Sequence, residues 1–167
     1  QWAPPAPADL HVEAEDWSAV IELPEGEVVL EDTTDENGGQ NVSYINAGDW
    51  MEYSVELAEA ACYIGSYRVA SQDGSDGFTI SVDGALTDTV VVPSTGGWQN
   101  WVSLNSAVEL SAGQQIMRFD ALGGEQNINW FEFNKTDASA CADESSITYG
   151  ENLVTNNTFD DATGWTV

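Results

Sequence analysis

The chain is poor in positive charge, and this scarcity excludes several classes of partner. Its 167 residues include 3 Lys and Arg against 29 Asp and Glu, which gives a formal net charge of −26. Nucleic-acid binding needs a Lys or Arg for each contacted phosphate, so DNA and RNA are excluded as partners. Anionic lipid surfaces and sulfated polysaccharides are disfavoured for the same reason. The acidity instead fits a neutral or cationic partner, or bound cations.

Histidine, cysteine and long apolar runs are scarce as well. The single histidine, His11, excludes most His-dependent triads and zinc sites. No apolar run is long enough to cross a membrane, so no membrane association is predicted. The two cysteines, Cys62 and Cys141, match no zinc motif. We predict that they form one disulfide, which would imply an oxidising compartment; two buried free thiols are the alternative.

Long helical periodicity is also missing, and short strands separated by Gly, Asn, Asp and Ser take its place. The stretch FTISVDG alternates most clearly, with Phe78, Ile80 and Val82 on one face and polar residues on the other. Asp83-Gly84 then gives a hairpin signal. Many strands of similar length with turns between them predict an all-β sandwich or barrel. The predicted strands are 11–16, 28–31, 42–45, 51–56, 63–70, 78–82, 88–92, 101–104, 116–121 and 128–133.

Composition divides the chain into four segments. Residues 1–8 (QWAPPAPA) are rich in proline and predict a stiff linker. The strand-rich part covers residues 9–135, and the acidic, Ser-containing stretch 136–149 predicts a second linker. Residues 150–167 are strand-like again but too short for a core of their own, so we predict the start of a further, truncated module.

Five motifs occur in order along residues 9–135: VEAEDW, GGQNVSYINAGDWMEY, YRVAS, VPSTGGWQNW and NINWFEF. Together they resemble the family 6 carbohydrate-binding modules, from Asp9 to about Lys135. The resemblance implies a β-sandwich of the jelly-roll type with two antiparallel sheets and no catalytic activity, attached to secreted polysaccharide-degrading enzymes. The terminal NLVTNNTFDDATGW resembles the start of a family 4 type carbohydrate-binding module.

In the resembling family a sugar ring lies between two aromatic residues, and the matching positions here are Tyr44 and Trp98. Trp98 follows two glycines in a loop sequence, where a large ring is exposed more often than buried. The C–H faces of a pyranose pack on such rings. Asn127 matches an amide that hydrogen-bonds the sandwiched sugar, because an amide both donates and accepts. Two further positions match the cleft floor, Glu31 and Thr34.

Some members of the family have a second cleft on the concave sheet face, with a tryptophan that matches Trp50. The run WMEYSV alternates, which places Trp50 and Glu52 on one face of a strand and Met51 and Tyr53 on the other. An exposed Trp50 would bind a glycan chain along the sheet, whereas a packed one would belong to the core. We favour a core or partly exposed Trp50, and we assign Trp101 and Trp130 to the core.

A structural Ca²⁺ site is implied near the start of the module. Glu13 and Glu15 stand at i and i+2 of a predicted strand, which places both carboxylates on one face about 7 Å apart. A hard divalent cation with oxygen ligands would relieve their repulsion. In the resembling family these positions bind Ca²⁺ together with an acidic or amide residue from the last strand. That residue matches Asn129 here, a neutral side chain.

The sequence therefore predicts a non-catalytic module, monomeric within a secreted multidomain enzyme, that binds a neutral polysaccharide or oligosaccharide. We expect β-1,3-glucan (laminarin) as the glycan, since a cleft that holds one ring suits chain ends. Agar-type galactan, xylan and cellulose are the alternatives. A lectin-like adhesive calcium-binding module is the second hypothesis. A small glycosidase is the third, because acidic pairs for glycoside hydrolysis are abundant in the chain.

Overall fold

The structure is a computed structural model that describes residues 7–21 and 28–142, with only the backbone of residue 21. These residues form strands and one helical turn, and the predicted all-β fold is confirmed. The strands are β1 (Leu10–Glu13), β2 (Ala19–Ile21), β3 (Val29–Asp32), β4 (Gln40–Ser43), β5 (Trp50–Leu57), β6 (Ala61–Ser71), β7 (Ser75–Val82), β8 (Ala85–Val92), β9 (Gly97–Leu110), β10 (Gly113–Ala121) and β11 (Asn127–Lys135), and the helical turn is α1 (Ser139–Ala142).

The strands form two antiparallel sheets that pack face to face. One sheet has six strands in the order β3-β4-β11-β6-β9, with β1 also paired to β11. The other has five strands in the order β2-β5-β10-β7-β8. The predicted sandwich of two antiparallel sheets is therefore confirmed. The predicted repertoire of strands lacked β2, whose three residues give too short a pattern to recognise.

The core lies between the sheets and consists of the inward residues of each strand. In β5, Met51 and Tyr53 are each 1% exposed, whereas Trp50 and Glu52 point outward and are half-buried. The alternation predicted for WMEY is thus confirmed. Edge-to-face and tilted ring contacts join the strands at the centre of the core. The rings in these contacts are Tyr53, Tyr67, Phe78, Phe119, Phe131 and Phe133.

Asp83 and Gly84 connect β7 to β8 as predicted. Their φ angles are 49° and 82°, and the flanking residues Val82 and Ala85 are paired across the hairpin. A two-residue turn with two positive φ angles matches the right-handed twist of the strands that it joins. The sequence signal therefore corresponds to the turn geometry that is found.

Two predicted strand boundaries are wrong. The strand predicted over 11–16 ends at Glu13, where the N–H of Asp16 donates to the Glu13 carbonyl and closes a turn. The strand predicted over 42–45 ends at Ser43, because Tyr44 has a positive φ of 57°. In both cases apolar residues continue past the strand end, so the sequence pattern does not reveal the turn.

The predicted disulfide between Cys62 and Cys141 is present, with 5.9 Å between the Cα atoms. It joins α1 to the first turn of β6, where the N–H of Thr136 also donates to the Cys62 carbonyl. Asp9 lies nearby, since its carboxylate accepts a hydrogen bond from the backbone N–H of Lys135. Both ends of the described sandwich therefore lie at the same end of β11.

The described residues contain no helix long and apolar enough to span a membrane. Residues 1–6, most of the predicted linker 1–8, lie outside the described part of the chain. The same holds for residues 143–167, which include the rest of the predicted linker 136–149 and the predicted further module at 150–167.

Candidate functional site

A cleft of about 700 Å³ opens at the end of the sandwich where β11 begins. Tyr44 and Trp98 line it and are 67% and 42% exposed. Glu31 from β3 and Asn127 from β11 line it as well. The structure thus brings together four of the predicted sugar-binding residues, whereas Thr34 lies outside the cleft wall. The sequence analysis did not identify the other lining residues, which are Val29, Ser43, Ile45, Asn46, Gly124, Glu125 and Gln126.

Tyr44 reaches the cleft because the backbone turns sharply after β4. A left-handed φ is uncommon for an aromatic residue and costs about 1–2 kcal/mol. The turn is held by Asn46, whose Nδ2 donates to the Tyr44 carbonyl at 3.3 Å. The N–H of Asn46 in turn donates to Asp49 Oδ2 at 2.7 Å. The phenol ring is therefore presented to solvent by a loop whose backbone is fixed.

Trp98 lies at the start of β9, directly after Gly96 and Gly97. Gly96 has a φ of 79°, which the turn into the strand requires. Asn127, 3% exposed, donates from Nδ2 to the Trp98 carbonyl at 2.8 Å. A primary amide has two N–H donors and one carbonyl oxygen, so a second donor and an acceptor remain for a ligand. Asn127 thus both fixes Trp98 and supplies polar groups to the cleft.

Gln99 connects the two walls of the cleft, and the sequence analysis did not identify it. Its Oε1 accepts from the N–H of Thr34 at 2.9 Å and from Trp101 Nε1 at 3.2 Å. Its Nε2 donates to Oδ1 of the buried Asn41 at 3.0 Å. Thr34 therefore anchors the β3–β4 loop to the residue that follows Trp98. Trp101 is half-buried rather than part of the core.

The cleft contains no cationic side chain. All three Lys and Arg of the chain form ion pairs, and none of them lines the cleft. Arg68 pairs with Asp35 at 2.6 Å, Arg118 pairs with Glu52 and Asp120, and Lys135 pairs with Glu59. Glu31 and Glu125 give the cleft acidic acceptors instead. An anionic sugar would meet repulsion here, whereas sugar hydroxyls would find acceptors.

The outer face of the five-stranded sheet carries the pair predicted as a second cleft, Trp50 and Glu52. The guanidinium carbon of Arg118 lies 4.0 Å from the centroid of the Trp50 ring, as in a cation–π contact. Arg118 also donates to Asp120 at 2.9 Å and to Glu52 at 3.3 Å. The partly exposed Trp50 is thus confirmed as half-buried, and one of its ring faces is covered by Arg118.

The residues predicted to bind Ca²⁺ lie close together but differ in environment. Glu15 lies in the turn after β1, and its Oε2 is buried without a hydrogen-bond partner. Burial raises the pKa of the Glu15 carboxyl, and the nearby charge of Glu13 raises it further. Glu13 Oε1 accepts a hydrogen bond from His11 Nε2 at 2.9 Å. Asn129 Nδ2 donates to Asp35 Oδ2 at 2.9 Å, and its carbonyl accepts the N–H of Ala14.

No group of three or more His, Cys, Asp or Glu side chains in the described ranges is arranged to hold a metal. The fit of these residues to a cation therefore rests on the orphaned oxygen of Glu15. A buried acceptor without a partner is costly, and a bound cation is one group that would satisfy it. The geometry behind the prediction was wrong, since Glu15 follows the strand rather than continuing it.

Comparison with known proteins gives one family and several relatives. A family model described as carbohydrate binding module (family 6) matches residues 13–135. The chain is 34% identical over 111 residues to the clotting factor G alpha subunit of Tachypleus tridentatus, which is 65% of this chain and 16% of that protein. The chain therefore spans a small part of the length of this relative.

Two solved structures share the fold. The module CBM6cm-2 of Cellvibrio mixtus lichenase 5A, in complex with cellotriose, is 36% identical with a TM-score of 0.68, covering 78% of this chain and 99% of that one. A β-1,3-glucan binding module of family 6 from Bacillus halodurans is 32% identical with a TM-score of 0.65, covering 75% of this chain and 95% of that one.

Proposed function

Since the chain belongs to family 6 of the carbohydrate-binding modules, which are non-catalytic, we propose that its cleft binds a sugar ring of a neutral glycan between Tyr44 and Trp98. One observation carries this proposal: two exposed aromatic side chains and a buried amide line the same cleft, which contains no cation. Asn127 and Glu31 would bind the hydroxyls of the held ring. Thr34 would act through Gln99, by fixing the neighbouring loop.

The expected affinity is modest. Each aromatic face would bury about 50–100 Å² of apolar sugar surface and contribute about 1–2.5 kcal/mol. Hydrogen bonds to Asn127 and Glu31 add about 1–3 kcal/mol each, less the cost of immobilising the ligand. The sum corresponds to dissociation constants in about the millimolar to micromolar range. Such weak binding is useful where a tether raises the local concentration.

We propose β-1,3-glucan as the glycan. The solved module from Bacillus halodurans, which is described as β-1,3-glucan binding, supports this choice. The cellotriose complex of the Cellvibrio mixtus module keeps cello-oligosaccharides as an alternative, beside xylan and agar-type galactan. Affinity electrophoresis in gels with laminarin, hydroxyethylcellulose, xylan or agarose tests the proposal. Retardation by laminarin beyond that by the other polymers is expected, and retardation by another polymer alone would reassign the glycan.

The position of the cleft suits a tethered module. Asn127, at the cleft, begins β11, and Lys135 ends it about 27 Å away at 3.4 Å per residue. Both ends of the described sandwich lie there, so a flanking chain would leave the cleft free. We propose that residues 1–8 and 136–149 are linkers, that 150–167 begins a further module, and that the disulfide indicates a secreted protein. The relative in a clotting factor keeps a role outside polysaccharide-degrading enzymes as an alternative.

We also propose that Glu15 and Glu13 bind Ca²⁺, with Asn129 beside them. The support is the buried Glu15 Oε2 that has no hydrogen-bond partner. At a hundredfold excess over its dissociation constant, Ca²⁺ would stabilise the fold by about 2.7 kcal/mol, which corresponds to about 5–10 °C in Tm. Adding a chelator should therefore lower the Tm of the wild type but leave that of Glu15→Gln unchanged. If the chelator shifts both equally, or neither, the assignment is wrong.

A further inference from the structure

A second cavity lies beside the candidate sugar cleft. It has a volume of about 550 Å³ and is formed by the β6–β7, β8–β9 and β10–β11 loops. Gly124 and Glu125 line both this cavity and the cleft. The two spaces are therefore separated only by the ridge that these residues form. No aromatic residue lines the second cavity, which instead offers carboxylates, hydroxyls and backbone groups.

The ridge is packed tightly on both sides. A Cβ added to Gly124 would lie 3.1 Å from the Ile45 carbonyl oxygen, and one added to Gly123 would lie 3.0 Å from the Asp76 nitrogen. The side chain of Gln126 holds the ridge from below, since its Nε2 donates to the Gly123 carbonyl at 2.8 Å. The ridge is thus a fixed feature that positions the residue at its crest, Glu125.

Glu125 has an unusual backbone for its residue type. Four residues other than glycine have a positive φ in the described ranges, and two of these, Asn37 and Asp83, are of the types that turns favour. The other two are Tyr44 (57°) and Glu125 (64°), and both line the cleft. Backbone strain of this kind is kept where the surrounding structure enforces it, and such residues cluster at ligand sites.

The carboxylate of Glu125 is available to a ligand. The residue is exposed, while its backbone carbonyl is fixed by a hydrogen bond from Ser71 Oγ. Within the described part of the chain, the carboxylate has no hydrogen-bond or ion-pair partner. A carboxylate only accepts hydrogen bonds, and sugar hydroxyls are donors at the required distance from the backbone of a glycan.

We propose that Glu125 and the adjoining cavity form a second subsite, which binds the next units of a neutral glycan whose first ring lies between Tyr44 and Trp98. This inference rests on the proposed function of the cleft. The subsite would read hydroxyl groups through Glu125 and through Asp73 on its far wall, with no stacking. It would reject uronic acids and sulfated sugars, because carboxylates line it and no cation does.

The test uses the 167-residue chain and β-1,3-gluco-oligosaccharides of two and of six units, with titration calorimetry as the readout. We expect the wild type to bind the longer ligand more tightly. Glu125→Ala should lower the affinity for the six-unit ligand about tenfold, as expected for a lost hydrogen bond to a charged group, and change that for the two-unit ligand less than twofold. Asp73→Ala should give a smaller loss with the same dependence on length.

Glu109→Ala is the matched control, since it removes an equally exposed carboxylate from β9. It should leave both affinities unchanged. The subsite is refuted if Glu125→Ala has no effect, if both ligands lose affinity equally, or if the wild type binds both ligands equally. Failure of the proposed function is a different result: Trp98→Ala would then keep the affinity for the two-unit ligand.

Discussion

Tryptophan occurs on two polar surfaces of this module, with opposite surroundings. Trp98 stands at the rim of an open cleft, 42% exposed, with no cation among the lining residues. Trp50 stands on the outer face of the five-stranded sheet, half-buried under the guanidinium of Arg118. The difference shows that a partly exposed tryptophan does not by itself define a sugar platform. The platform also needs a free ring face.

The two surfaces differ in their backbone as well. The cleft is built from loops in which Tyr44 and Glu125 adopt left-handed angles. The sheet face is built from paired strands, in which Trp50 lies opposite Asp120 and Glu52 lies opposite Arg118. Regular pairing places opposite charges next to each other, and these then satisfy one another. Strained loops instead leave polar groups and rings for a ligand.

The largest expected effect is that of Trp98→Ala. Loss of one stacking face should lower the affinity for a β-1,3-gluco-oligosaccharide at least about fiftyfold, since about 2.5 kcal/mol of burial is lost. The Tm should stay within about 2 °C of the wild type, because the ring is exposed. Trp50→Ala is the matched control and should change the affinity less than twofold. Calorimetry and thermal unfolding measure both, and equal losses in the two variants would erase the distinction between the surfaces.

Tyr44→Gly separates strain from binding. Removing the ring should lower the affinity about tenfold or more. Glycine adopts a positive φ without the cost paid by tyrosine, so the free energy of unfolding should stay equal or rise by up to about 1 kcal/mol. Denaturant unfolding measures this quantity, and Tyr44→Ala, which keeps the strain, is the control. A variant less stable than Tyr44→Ala would show that the backbone of this loop is not strained.

Much of the fold followed from local sequence patterns. The alternation in FTISVDG and WMEY gave the inward faces of β7 and β5, and Asp83-Gly84 gave the hairpin turn, because these features depend on neighbours in sequence. Two glycines before Trp98 indicated an exposed ring. The position of Tyr44 came from the family resemblance, since VSYI continues an apolar pattern through the residue where the strand ends.

The rest depended on contacts between distant residues. Arg118 covers Trp50 only because β10 pairs with β5 in a particular register, which no local pattern specifies. Gln99 joins Thr34 to the strand of Trp98 across 65 positions of sequence. The turn at Glu15 was missed because alternating burial continues beyond the end of β1. Sequence reasoning thus found the rings of the cleft but not the groups that position or cover rings.

Gln99→Ala tests whether the walls of the cleft depend on their connection. The variant loses the acceptor for the N–H of Thr34 and the donor to Asn41, so the affinity should fall about fivefold through a looser β3–β4 loop. Gln99→Glu should recover it to within about twofold, because a carboxylate still accepts from Thr34 and a flipped Asn41 amide can donate to it. Gln114→Ala, on the exposed face of β10, is the control for amide loss. Calorimetry with and without the rescue variant separates positioning from general destabilisation, which the conservative variant would not reverse selectively.

The smallest expected effect comes from uncovering the second tryptophan. Arg118→Met in the Trp98→Ala background removes the cation from the Trp50 ring and leaves Glu52 and Asp120 without their shared partner. The tryptophan emission should shift to longer wavelength as the ring meets water. Weak retardation in a polysaccharide gel should appear beside the unretarded Trp98→Ala parent, because a free indole face is then present. A spectral shift without retardation would mean that the flat sheet face lacks the second wall that the loops give to the cleft. In that case the covering of Trp50 by Arg118 would be a matter of stability, and the contrast between the two surfaces would lie in their shape.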